Sequence, residues 1–236
     1  MATPASASDA APAVRWAFTH VPSHLRLWGV AALGVAADLY TKYWAFETLR
    51  YGESRVLVPN LCSLQISLNP GALFGLGAGF APVFVGASVL ALLFVLYLFM
   101  NTPAARWSMH IALGLVLAGA VGNLYDRAMH SAYVAHVPDR GRDIGLLEGL
   151  TEAHVILADY PHGGNLRRWP LPLGPGSGLQ PVVRDFVKIE ARLGSFTLWP
   201  WIFNIADALL VVGVGLLLVN FWREHRHDQA AAAPPP

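Results

Sequence analysis

Seven polar side chains sit where an apolar helix would cross or leave a bilayer: Asp38, Lys42, Asn123, Asp126, Arg127, Asn204 and Asp207. Ionisable groups at that depth cost several kcal/mol and point to a function or a buried pair. Asp207 is the hardest to explain as structure alone. It follows Asn204 by three residues, so both point to one side of a helix, and its flanks are Ile205, Ala206, Ala208 and Leu209. A carboxylate there needs a partner or must hold a proton. Two facing carboxylates can share one proton, giving a base that activates water and an acid that protonates a leaving group. Asp126 and Asp185 are the candidate partners, and the residue pattern alone leaves both open. Asn123 and Arg127, four apart, share a side as well. Asp38, Thr41 and Lys42 share one helical face, with Asp38–Lys42 as a buried ion pair. Asp126–Arg127 alone reads as an interfacial pair that ends a helix.

Other chemistries have little support. The chain holds no His-Glu-x-x-His and no Gly-x-Ser-x-Gly, and Leu173-Gly-Pro-Gly-Ser-Gly178 lacks the lysine of a phosphate-binding loop. His130, His136, His154 and His162 share one long segment but at no ligand spacing, so no metal and no cofactor is expected. The single cysteine, Cys62, excludes an internal disulfide and reads as a small buried hydrophobe. Of 236 residues 55% are hydrophobic and only 13% charged, where a soluble domain carries about 25%. Sixteen basic residues against 15 acidic, with no basic run, exclude a nucleic-acid partner. What remains is an integral membrane protein.

A spanning helix needs about 20 mostly apolar residues. Four stretches qualify, at 25–46, 81–100, 108–125 and 201–222, the last bracketed by Trp201 and Trp222. The first is the least clean. Its unbroken part is only Leu27 to Ala37, and with Arg15, Arg26 and the small-residue end Val35-Ala-Ala37 it also fits a cleavable signal peptide. Apolar character resumes through Tyr40, Tyr43, Trp44 and Phe46, which favours a retained helix. The expected fold is an all-α integral membrane protein of four transmembrane helices with a small extracytoplasmic β-rich loop. Both termini then share a side, and Arg15, Arg26, Arg106, Arg223 and Arg226 against Arg50 and Arg55 make it the cytoplasm. Residues 1–24 and 223–236 read as disordered tails. On the far side, Ser54–Val58 and Ser63–Leu68 alternate like strands. The segment 126–200 carries a Pro/Gly-rich run, Pro161 to Pro181, and then the apolar piece Val182 to Val187.

Five motifs occur in order on this frame. They are Asp38-Leu-Tyr-Thr-Lys42, Asn69-Pro-Gly-Ala-Leu-Phe-Gly75, Gly122-Asn-Leu-Tyr-Asp-Arg127, Val183-Arg-Asp-Phe186 and Phe203-Asn-Ile-Ala-Asp207. Together they resemble bacterial lipoprotein signal peptidase, or signal peptidase II, across a four-helix peptidase domain at 25–222. The resemblance implies a multi-pass aspartic endopeptidase of the bacterial inner membrane. It would cut prolipoproteins just before the diacylglyceryl-modified cysteine, as a monomer in contact with membrane lipid. It implies Asp185 and Asp207 as the catalytic pair, with Asp126 structural. Asn69 and Gly71 would belong to a loop cradling substrate, Asn123 and Arg127 would support substrate and site, and Asn204 would bond beside the pair. Asp38 and Lys42 join the supporting set. Two departures stand out. Fifty-eight positions separate Arg127 from Asp185, so the stretch at about 131–181 is an insertion, expected to be an accessory surface excursion such as a lid. Leu73 stands where the family usually has a small residue. The rival is a small transporter or channel using Asp38, Lys42 and Asp207 as an ion or proton relay. It accounts for neither Asp185 nor the Asn69 turn. A third reading is a lipoprotein-binding scaffold with the pair inactive.

Overall fold

The computed structural model describes residues 14–71 and 81–232. After a 3-10 turn at Ala17–Thr19 come α1 (Val21–Thr48), β1 (Arg55–Val58), β2 (Cys62–Asn69), α2 (Ala81–Met100) and α3 (Trp107–Met129). Five strands follow: β3 (Ser131–Val137), β4 (Gly141–Leu150), β5 (His154–Ala158), β6 (Arg167–Pro170) and β7 (Gly178–Pro181). The chain ends with β8 (Val183–Ile189), β9 (Arg192–Leu193), β10 (Phe196–Thr197), β11 (Ile202–Phe203) and α4 (Ile205–Ala232).

Pro22 sits in the first turn of α1, where its missing N–H costs nothing. The buried positions of α1 are Ser23, Leu27, Ala31, Gly34, Asp38, Lys42, Ala45 and Phe46. Steps of three and four residues make this one stripe, so the face that packs apolar carbons also carries the Asp38–Lys42 pair inward. Thr41 does not follow them. Its hydroxyl donates back to Ala37 and Asp38 carbonyls of its own helix. α3 is the central helix, packed against both α1 and α4. At Gly122 a Cβ would collide with the Asp38 carboxylate, so only glycine lets α1 approach α3 there.

The all-α expectation is corrected. Among the described residues the strands form a four-stranded sheet in the order β1-β2-β8-β11, a five-stranded sheet β6-β5-β4-β3-β7 and the ribbon β10-β9. Among the described residues two helical stretches, Trp107–Met129 and Ile205–Arg226, are long and apolar enough to cross a membrane, with Val89–Met100 a shorter apolar helix. α1 falls short because its polar stripe lowers its hydropathy. The two segments read as loops supply all the strands but β11, since alternating residues there can bury one face against a partner sheet, while β11 takes up the start of the expected span at 201–222, whose helix begins only at Ile205. Residues 1–13 of the expected N-terminal tail and 233–236 of the C-terminal one lie outside the described residues, as does Leu73. α1 begins at Val21, inside the expected first tail, and α4 continues to Ala232, inside the second.

The stretch 131–181 is not a loose excursion but a folded sheet. Its first and last strands are neighbours, with Ser131 opposite Pro181 and Val134 opposite Gly178, so it leaves and returns at one place. Val182 N–H donates to the His130 carbonyl at 3.0 Å, closing the base. Both large sheets share one core: Ala132, Val134 and Ile144 pack with Leu64, Ile66, Leu68 and Phe186 and with Ala45 and Phe46 at the end of α1. Ile144→Ala is therefore expected to cost about 2–4 kcal/mol of stability. Thermal unfolding in detergent reads this directly. An unchanged midpoint would mean that the sheet of residues 131–181 is not coupled to the rest.

Candidate active site

The helix pair α3–α4 is fastened at both ends. At one, Arg106 donates two hydrogen bonds to Glu224 (2.5 and 2.6 Å) and Ser108 donates to Asn220 at 2.6 Å. Asn123 lies 17 residues along α3 from Arg106, about 25 Å at 1.5 Å per residue, which is close to the thickness of a bilayer's apolar layer. The polar residues of interest all gather at that second level.

α4 starts there with a reciprocal cap. Asn204 precedes the first helical residue, and its Oδ1 accepts from the Asp207 N–H at 3.0 Å. The Asp207 carboxylate reaches back to accept from the Asn204 N–H at 3.2 Å. Local helix-start chemistry thus places both side chains. Asn123 on α3 donates to Asp207 Oδ1 at 2.8 Å. The Asn204 amide donates to Asp185 Oδ1 at 2.6 Å and to Asn123 Oδ1 at 3.2 Å. Two asparagines therefore link two carboxylates on different elements.

Asp185 comes from β8, where it pairs with Ser67 of β2 next to a bulge in that ladder. It is 3% exposed. Burial, and then the nearby charge of Asp207, push its carboxyl well above the usual carboxylate range, opposed by Asn204, Lys42 and Asn69. Asp207 is only partly buried. The two carboxyls thus meet in unlike surroundings, one dry and one half open.

Below them lies a layer of buried charge. Lys42 Nζ is 2.8 Å from Asp38 and 3.2 Å from Asp126, and it donates to Asn123 at 3.2 Å. Asp38 also accepts the Ala206 N–H at 2.8 Å, tying α1 to the first turn of α4. Asp126 accepts the Arg184 backbone N–H at 2.9 Å and its guanidinium at 2.8 and 3.1 Å. That clamp fixes the residue just before Asp185. Sequence reasoning left Arg184 without a role, although it stands inside the quoted Val183-Arg-Asp-Phe186 motif. Arg127 is half-buried, donates to the Asn123 carbonyl at 3.3 Å and acts electrostatically on Asp207 and Asp185. Asn69 ends β2 opposite Val183. Gly71, at φ 145°, donates its N–H to Asn69 Oδ1 at 3.2 Å in a conformation that suits glycine. Of the nine residues singled out for the site, Asp38 and Lys42 thus lie in this buried layer with Asp126, and Asn123 and Asn204 join it to Asp185 and Asp207. Residues 72–75 of the Asn69 motif lie outside the described residues.

A buried carboxyl linked through two asparagines to a half-open one fits an aspartic hydrolase better than a relay. Residues 30–223 match the model of a peptidase family described as signal peptidase (SPase) II. The chain belongs to the signal peptidase II family. It is an aspartic endopeptidase of lipoprotein signal peptides and a membrane protein with at least two candidate spans, and the transporter reading is set aside. Lipoprotein signal peptidase of Desulfitobacterium hafniense is 26% identical over 203 residues, 86% of this chain and 97% of its own. That of Bifidobacterium longum subsp. infantis is 36% identical over 102 residues, 43% of this chain and 55% of its own. A bacterial membrane enzyme solved by the in meso method at 2.3 Å shares the fold, with a TM-score of 0.57 at 21% identity, over 94% of this chain and 97% of the other.

Proposed function

We propose that Asp185 and Asp207 are the catalytic pair of this signal peptidase, that it cuts just before a diacylglyceryl-modified cysteine, and that they act in different protonation states. Asp207 is the base. It takes a proton from water as the water oxygen bonds to the peptide carbonyl carbon. Asp185 enters protonated and gives its proton to the carbonyl oxygen. The C–N bond then breaks, the amine takes the proton held by Asp207, and a hydroxyl proton returns to Asp185 as the acid product forms. Every proton is accounted for without another group. The observation that carries this reading is the unlike setting of two carboxyls joined through Asn123 and Asn204. Asn69, Gly71 and Arg127 then line the substrate side, and Asp38, Lys42 and Asp126 hold the frame. With the pair at a membrane face, lipid chains lying in hydrocarbon would set the depth of the scissile bond.

The test is a gel-shift assay with the purified chain and a diacylglyceryl-modified prolipoprotein. Release of the signal peptide before the lipidated cysteine is expected; cutting elsewhere, or none, overturns the reading. We also propose that the chain is multi-pass with both termini in the cytoplasm, because the Arg106–Glu224 end of the helix pair also carries Arg223 and Arg226. A reporter at the C-terminus should then be active only in its cytoplasmic form, and one placed within 163–178 only in its exported form. The opposite pattern would invert the orientation.

A further inference from the structure

β1 covers only part of β2. Arg55, Val56 and Val58 pair with Leu64, Ser63 and Cys62, and before Arg55 the chain peels away. Among the described residues the β1 side of Gln65–Leu68 therefore has no strand partner. Four residues at about 3.3 Å each leave roughly 13 Å of open backbone edge. This edge does not face open water. It borders a cleft of about 260 Å³ whose other walls are Tyr51 and Gly52 at the point of divergence, Arg142 and Ile144 of the 131–181 sheet, and Ile202 of β11. The cleft walls are fixed. Ile144 is part of the shared core, and Arg167 holds its guanidinium 4.9 Å over the Tyr51 ring while bonding Asp143 at 2.8 Å. Arg142 itself is exposed and makes no ion pair among the described residues.

We propose that this edge receives the polypeptide that follows the lipidated cysteine, as a strand added beside β2, and that Arg142 selects acidic side chains in it. The proposal rests on the peptidase reading above. Added strands take affinity from backbone hydrogen bonds and selectivity from side-chain pockets. The occupant follows from continuity with the site, because Ser67 on this edge pairs directly with Asp185 on β8. A strand added to the far side of β2 lies two strand spacings, about 10 Å, from β8. About three residues of extended chain cover that distance, so the selected position is the third or fourth after the cleaved bond. The inserted sheet then makes the enzyme a reader of mature lipoprotein sequence as well as of signal peptide.

The test uses the full chain and three synthetic substrates with one signal segment and one diacylglyceryl cysteine. The first ends two residues after the cysteine, the second continues for six residues with aspartate at the third and fourth, and the third carries lysine there. Extension with aspartate should lower KM about tenfold relative to the short substrate, a difference of about 1.4 kcal/mol. Methylating the amide nitrogens of those residues should remove the gain. The variant Arg142→Glu, checked for an unchanged unfolding midpoint, should invert the aspartate-over-lysine preference. Equal KM for short and extended substrates, or an unmoved preference in Arg142→Glu, overturns the proposal. Failure to cleave even the short substrate would overturn the peptidase reading itself, and the proposal with it.

Discussion

Asp185→Asn is expected to abolish cleavage while leaving the protein at least as stable at neutral pH. Amide replaces carboxyl with the same shape, so Asn204 and Asn69 keep a partner, but no proton can be passed to the carbonyl oxygen. Loss of a catalytic acid or base costs 100- to 10,000-fold as a typical order, and loss of one member of a shared-proton pair removes both roles. The stability part follows from linkage. Burial and the charge of Asp207 raise the Asp185 carboxyl above its ordinary value of 3.8. Between 3.8 and that raised value the folded state binds more protons than the unfolded state, so stability falls as pH rises through the window. Above the window the penalty is fully present, and the amide removes it. The unfolding midpoint of Asp185→Asn should therefore vary less with pH than that of the parent. Parent activity should fall on the alkaline side as Asp185 loses its proton. Asp207→Asn should be equally inactive, whereas Asp126→Asn, which touches Arg184 and Lys42 but neither carboxyl of the pair, should retain more activity than either. Substantial cleavage by Asp185→Asn would sink the pair and return Asp126 to candidacy.

Much of the candidate site was legible because it is written in short helical spacings. Asp38 with Lys42 and Asn204 with Asp207 lie three or four apart, and a helix turns such neighbours to one side whatever surrounds it. The partner of Asp207 was not legible from the residues. Asp185 reaches it from a strand, and strand pairing is set by which faces bury, which no spacing within β8 records. The motif resemblance pointed to Asp185, and the geometry adds why it arrives. β3 and β7 close on each other, so the 57 intervening residues end where they began, with Arg184 clamped to Asp126. The all-α expectation failed for a related reason. Hydropathy windows respond to continuous apolar runs, while strands that bury one face show half the signal over a third of the length. β3 and β4 alternate weakly and stand among prolines and glycines, and their partners in the core, Leu64 and Phe186, come from far along the chain.

Lys42→Met should be the most damaging single change outside the proposed catalytic pair. Lys42, Asp38 and Asp126 are all fully buried, and one ammonium faces both carboxylates at 2.8 and 3.2 Å. Methionine fills the space but leaves the pair of carboxylates with Arg184 as the remaining cation, bonded to Asp126 alone. Removing one partner of a buried ion pair costs about 3–5 kcal/mol, because the other charge stays in a dry setting. Asp38 is the one stranded, held only by the Ala206 N–H. Neutralising it should recover much of the loss, so Asp38→Asn combined with Lys42→Met is expected to be more stable than Lys42→Met alone. The asparagine can still accept from Ala206 and keep α4 docked on α1. Such non-additivity marks residues that share one network. Unfolding midpoints of the two single variants and the double variant in one detergent decide the matter. If the two losses simply add, Lys42 is not the counter-charge of Asp38, and the layer of charge beneath the active site would have to be held together by Asp126 and Arg184 alone.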